Sequence, residues 1–285
     1  MSRDPKYFEV TSKKTNNVYH AVIHDGNLIG RIYFGNRKCM MMTVYKNRKD
    51  DPDSFYAHLD GISHNSFCSL NGNLPKGGGT KDMLATGVTF LFAQYPWLKG
   101  VKFIDASFVE CALKNEIQNL PLHSLELAKY GQTWYAKNFG AYPEEKEYAA
   151  KIDAIPAQLE QNFKKYKGSF DKFFAKYIMH QAIELEENQL ELLQSTFEKS
   201  RSFSSWIQRI IRTHHLKCHV LLNWLNAYIY KSDTNISNVY WIINKTVRIE
   251  IGWKQIDGTM ISAKQRALLG GGSFKFSKSK PRQLM

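Results

Sequence analysis

Three consecutive glycines, Gly77, Gly78 and Gly79, fall between a β-prone run and an amphipathic run, and they restrict the fold more than any other feature. The order predicts a strand over 58–70, a turn over 71–81, and a helix from Thr80 or Lys81 to about Tyr95. Pro96 ends that helix, and a short buried strand follows over 101–105. Thr80 reads as an N-cap. Glycines let a backbone approach a ligand closely, and the first N–H groups of a helix, with its dipole, favour an anion there. Lys76 and Lys81 flank the turn with positive charge. No Gly-Lys-Ser/Thr follows at the spacing of a P-loop. The preceding strands read as antiparallel, which excludes a dinucleotide fingerprint.

The flanking segments set the fold class. Tyr7 to Thr11 is a short β-prone run, and Val18 to His24 leads through Asp25-Gly26 into Leu28 to Phe34. That Asp-Gly pair predicts a hairpin whose two central residues have positive φ. Met40 to Tyr45 adds a strand, and 46–56, with Pro52, reads as a loop. Strands followed by a turn, a helix and a strand make an α+β or mixed α/β domain, not a helical bundle. Residues 122–138 read as one helix stopped by Gly140 and Pro143. Beyond Glu144 the pattern is helical over 151–200 and again over 203–230, and two strands at 239–243 and 247–253 form a small β-hairpin around Asn244-Lys245. The expected organisation is an α+β domain over 1–145, a mainly helical basic region over 146–269, and a Gly-rich basic tail over 270–285.

At 43% hydrophobic the chain has the means for a packed core and is not of the disordered class. No apolar run approaches the ~18 residues of a membrane span, and the start MSRDPKYFEV lacks the apolar segment of a secretory signal. Cys39, Cys68, Cys111 and Cys218 show no CxxC pairing, which points to reduced thiols in a cytoplasmic or nuclear, hence intracellular, setting. Residues 201–285 hold fourteen Lys and Arg against three Asp and Glu, a net of +11 out of +13 for the chain. Such a local excess attracts a nucleic acid or another polyanion. Phe274 and Phe276 interleave with the tail lysines as stacking groups do in single-strand binders. His214, His215, Cys218 and His219 have i,i+4 spacing, but they fall in or beside the apolar stripe of 203–230. No second ligand pair appears, so no metal is assigned.

The segment Gly131-Gln132-Thr133-Trp134-Tyr135-Ala136-Lys137-Asn138-Phe139-Gly140-Ala141 resembles the helix of the GNAT (N-acetyltransferase) superfamily that carries a pattern like Ala-x-x-x-Tyr-x-x-x-Gly-Phe, here with Phe and Gly transposed. His24 to Gly30 resembles the family's early hairpin, the strand, Gly-rich turn and helix over 62–95 resemble its acetyl-CoA pyrophosphate site, and 101–105 falls where its fifth strand belongs. The resemblance implies a GNAT-like mixed sheet with flanking helices over about 6–143. It also implies transfer of an acetyl group from acetyl-CoA to an amine. The amides of Gly77, Gly78, Gly79, Thr80 and Lys81 would hold the pyrophosphate, and a backbone N–H near Leu70 would polarise the acyl carbonyl. Tyr135 would protonate the departing thiolate, and Asp60 and His64 are the candidates for the base. The segments around Asp105-Ala106-Ser107 and Lys129 to Tyr135 look like divergent GNAT-like proteins of large DNA viruses. A rival follows from the same likeness: a catalytically inactive, virion-associated scaffold whose basic 201–285 region binds nucleic acid.

Overall fold

The structure is a computed structural model of the chain, and it describes residues 4–35, 39–46, 52–63, 66–72, 74–75, 78–112, 117–177, 187–212, 225, 239–246 and 248–258. The strands are β1 (Lys6–Ser12), β2 (Val18–Asp25), β3 (Ile29–Phe34), β4 (Met40–Tyr45), β5 (Tyr56–Ile62), β6 (Gly100–Ile104), β7 (Phe108–Ala112), β8 (Ile117–Pro121), β9 (Tyr142–Pro143), β10 (Tyr240–Asn244) and β11 (Ile251–Ile256). The helices are α1 (Gly78–Gln94), α2 (Leu122–Tyr130), α3 (Trp134–Phe139), α4 (Lys146–Lys165), α5 (Phe170–Tyr177), α6 (Glu187–Lys199) and α7 (Phe203–Arg212). The architecture is α+β, with a mixed nine-stranded sheet and a separate β7–β8 hairpin among the described residues. Two compact units divide the chain, one of 1–101 with 245–285 and one of 102–244. None of the described helices is long and apolar enough to cross a membrane.

In the first unit β11, β1, β2, β3, β4 and β5 lie side by side in that order, each pair antiparallel. Alternation along β1 buries Phe8, Val10 and Ser12 and leaves the intervening residues half-buried. Helix α1 is buried nearly all round. A Cβ at Gly87 would come within 2.0 Å of Met40 Cε and 3.3 Å of the Phe34 ring, so this glycine sets how closely α1 lies on β3 and β4. Phe90 on the same helix meets Phe8 edge-on at 5.2 Å and Trp253 at 6.4 Å.

Four sequence expectations need correction here. The β2–β3 hairpin exists, but strand pairing continues through Asp25↔Gly30, and the Gly26 N–H donates to Ile29 O, so the tip is Asn27-Leu28. Neither Asp25 nor Gly26 has positive φ. Gly26 matters instead because a Cβ there would lie 2.8 Å from Ile29 O. The strand expected over 58–70 stops at Ile62, and a short 3₁₀ turn over Ser66–Cys68 follows. Cys68 is bonded to Cys39 in a disulfide, contrary to the expectation of reduced thiols, and that bridge ties the segment back to the entrance of β4. The expected β10–β11 hairpin does not form: β10 pairs with β9, whereas β11 pairs with β1, Trp253 lying opposite Val10.

In the second unit the helix expected over 122–138 is two helices. Gly131 adopts φ 72° and ends α2, and Thr133 then caps α3 by accepting the Ala136 N–H. Gly140, at φ 59°, ends α3 as its sequence position anticipates. Residues 108–121, an insertion in the sequence, form the β7–β8 hairpin. The helical part holds a core of stacked rings: Phe163, Phe173, Phe197 and Trp206 are all buried, with Phe163–Phe197 centroids 4.6 Å apart and Phe173–Phe197 at 5.0 Å. Phe203, at the start of α7, joins this core.

Candidate functional site

The entrance of α1, in the first unit, carries most of the residues expected to bind a cofactor. Helix α1 begins at Gly78, two residues before the expected start, which places Thr80 inside the first turn and not at the cap. Gly77 lies outside the described residues. The Gly79 N–H donates to Pro75 O at 2.9 Å. A Cβ on Gly79 would stand 2.4 Å from Leu74 Cγ, so the Leu74 side chain covers this amide. The role assigned to the Gly79 amide therefore fails: its donor is spent within the chain. Gly78, by contrast, is exposed with open space around its Cβ position, Thr80 is half-buried, and Lys81 is exposed.

Leu70 has a different job from the one expected. It sits in a turn after Cys68, not at the end of a strand, and its N–H donates to Val18 O at 2.7 Å. The Ser69 hydroxyl bonds the same carbonyl at 3.2 Å. A carbonyl-polarising role for the Leu70 amide is ruled out by that bond. Of the two base candidates, Asp60 on β5 accepts the Thr43 hydroxyl at 2.6 Å, and His64 lies outside the described residues.

One turn into α1 stands Asp82, a carboxylate that the sequence reading passed over. Its two oxygens accept the Ser12 hydroxyl at 2.8 Å, the Thr15 hydroxyl at 2.8 Å, the Asn17 amide at 3.0 Å and the Tyr19 hydroxyl at 2.6 Å. Burial pushes this carboxyl up, but the Tyr19, Asn17, Ser12 and Thr15 donors outweigh it and hold it below the usual range. The signal was present in the sequence: one acid on an apolar helix, and a Ser-, Thr- and Asn-rich tip between β1 and β2.

Tyr135, in the second unit, is buried on α3. Its ring packs at 4.4 Å from Phe103 on β6, with Trp134 at 4.9 Å and Phe139 at 6.4 Å. Two residues beyond Phe103, Asp105 leaves β6 and is 2% exposed. One of its oxygens, Oδ1, accepts the Ser107 N–H at 3.1 Å and also the Ser107 hydroxyl. The other, Oδ2, is buried without a hydrogen-bond partner, as are both ring nitrogens of His123, which is also 2% exposed near the start of α2.

These three groups perturb one another. Burial pushes the Asp105 carboxyl up, and Ser107 and the His123 charge only partly offset it. Burial pushes the His123 imidazole down against the pull of Asp105, so the ring is neutral. Burial first, then the Asp105 charge, raises the Tyr135 phenol and keeps it protonated. The arrangement is an acid with a carboxylate–imidazole couple beside it, the kind of group found at sites of proton transfer. Nothing in the spacing of Asp105 and His123 announces the couple, because the β7–β8 hairpin intervenes between them. A cavity of about 230 Å³ in this unit is lined by Leu127, Tyr130, Pro156, Leu159 and Phe203 among others, and Tyr135 is not among its walls.

The remaining candidates are quickly placed. His214, His215, Cys218 and His219 lie outside the described residues, as does the tail from 259 onward. Among the described residues no group of three or more His, Cys, Asp or Glu is arranged to hold a metal ion. In the described part of the basic region, Arg201, Arg209 and Arg212 are exposed around α7. Comparison of the chain with family models, with curated proteins and with solved structures returns no match.

Proposed function

We propose that this chain is a GNAT-like acyltransferase that takes an acetyl group from acetyl-CoA and gives it to an amine. The observation that carries this reading is the setting of Tyr135: a buried phenol, kept protonated, beside the Asp105–His123 couple on the helix where the resemblance expects the acid. Support also comes from the order of elements along the chain, β5, a glycine turn, α1, β6, and later the Tyr135 helix. The Leu70 and Gly79 amides take no part, being bonded to Val18 and Pro75. Within the first unit, the groups left for a pyrophosphate are the Gly78, Thr80 and Lys81 end of α1.

In this reading Tyr135 gives its proton to the thiolate sulfur as the C–S bond breaks, so that neutral CoA leaves. The test is release of free thiol from acetyl-CoA in the presence of polyamines, lysine peptides and peptides with free N-termini. Transfer to one of these, falling on the order of 10²-fold in kcat in Tyr135→Phe with KM little changed, supports the reading. Transfer that is unaffected by Tyr135→Phe removes Tyr135 from the mechanism.

A second reading has its own observation, the net charge of +11 in residues 201–285. This region binds a polyanion such as nucleic acid, on an inactive scaffold or alongside transfer. Binding to mixed-sequence single-stranded DNA should weaken steeply as salt rises and be lost on removal of 259–285 together with reversal of Arg209 and Arg212. Salt-independent binding, or none, defeats it.

A further inference from the structure

The Asp105–His123 couple is built with more care than a packing role needs. Ser107 ties down one carboxylate oxygen with both its N–H and its hydroxyl, which fixes the other oxygen in place. That second oxygen and both imidazole nitrogens are then left buried with no partner. Folded proteins satisfy nearly all such atoms, so three in one couple mark a place where protons or water are exchanged. Tyr135 is the nearby group with a proton to lose: its ring lies on Phe103, two residues before Asp105, and its hydroxyl feels the Asp105 charge.

We infer that Asp105 and His123 are positioning residues that act through Tyr135, returning a proton to its oxygen after each transfer. The inference rests on the acyl-transfer reading above. Over one cycle the Tyr135 O–H bond breaks and an S–H bond forms on CoA. The phenolate oxygen then takes a proton from the couple, through water. The couple regains its proton from the acceptor nitrogen, which loses one as the amide forms. Protons balance: one N–H bond is lost and one S–H bond is made, with no oxidant or second reactant. Asp105 is the charged group that faces His123, and Asp105 is likewise the charged group that faces Tyr135.

The experiment is a titration of Tyr135 by tyrosinate absorbance, taken as the difference between the wild-type chain and Tyr135→Phe, and repeated in Asp105→Asn and His123→Gln. Asp105→Asn should lower the Tyr135 titration by about one pH unit or more, because the neighbouring negative charge is gone. His123→Gln should leave it high while flattening the acid limb of the pH–rate profile for thiol release. An Asp105→Asn titration that coincides with wild type overturns the inference, whatever the activity. If Asp105→Asn fails to fold, nitrogen NMR of His123 in the wild-type chain decides. A ring that stays neutral to well below pH 6 and responds to Tyr135→Phe supports the couple, and one that titrates like a free imidazole, unmoved by that substitution, overturns it. Absence of acetyl-CoA turnover in the wild type would remove the acyl-transfer reading, yet the titration would still report whether the couple governs Tyr135.

Discussion

The Tyr19 hydroxyl donates to Asp82 Oδ2 at 2.6 Å, which fastens the β1–β2 hairpin to the second turn of α1 through a buried carboxylate. Three further donors from the same hairpin share that carboxylate. The folded state therefore favours the ionised form, and the stability it supplies is complete above the unfolded value near pH ~4. It is lost as pH falls through the lower folded value. Asp82→Ala should cost about 3 kcal/mol at neutral pH and flatten the acid limb of stability, as read by denaturant melts across pH. Tyr19→Phe should cost about 1–2 kcal/mol.

Gly78 and Gly79 should respond in opposite directions. A methyl group at Gly79 meets Leu74 Cγ at 2.4 Å, and Gly79→Ala should cost about 1–3 kcal/mol. Gly78 has nothing within reach of a Cβ, and Gly78→Ala should be neutral or gain roughly 0.5 kcal/mol from helix propensity. Thermal melts of the two variants check the contrast, which also separates packing from any role in binding.

Lys167 closes the end of α6. Its ammonium donates to the carbonyls of Phe197 at 2.6 Å, Glu198 at 2.6 Å and Ser200 at 2.8 Å, and lies over the rings of Phe163 and Phe197. Lys167→Met keeps the stem and deletes the donors. It should cost about 1 kcal/mol, measured by chemical denaturation, and raise amide exchange in the last turn of α6.

His123 gives stability a second pH dependence. Burial keeps its folded value below that of an ordinary imidazole, so the unfolded chain takes up a proton first as pH falls. Stability is present above the unfolded value near pH ~6.5 and declines below it until the folded ring titrates. His123→Gln should remove that decline between about pH 6.5 and pH 5, in denaturation midpoints compared with wild type.

The parts of the fold governed by local pattern could be read from sequence. Met40 to Tyr45, the helix closed by Pro96, the stop at Gly140 and the apolar stripe of Phe203, Trp206, Ile207 and Ile210 all took the predicted local form. What failed depended on partners distant in sequence. Strand β11 left its neighbour β10 for β1, and the Cys39–Cys68 bond and the Leu70–Val18 pairing converted the end of a strand into a turn. Gly131 split a helix because a positive φ is invisible in an otherwise helical pattern. In the second unit Tyr135 was legible from its motif, but the Asp105–His123 couple arises from tertiary burial that no spacing encodes.

Calorimetric titration of the full-length chain with acetyl-CoA tests the central claim most directly. Saturable binding with a micromolar Kd, reduced at least tenfold in Gly78→Glu and retained in Tyr135→Phe, is the predicted result. No heat of binding at millimolar acetyl-CoA, from a chain that melts cooperatively, would contradict it.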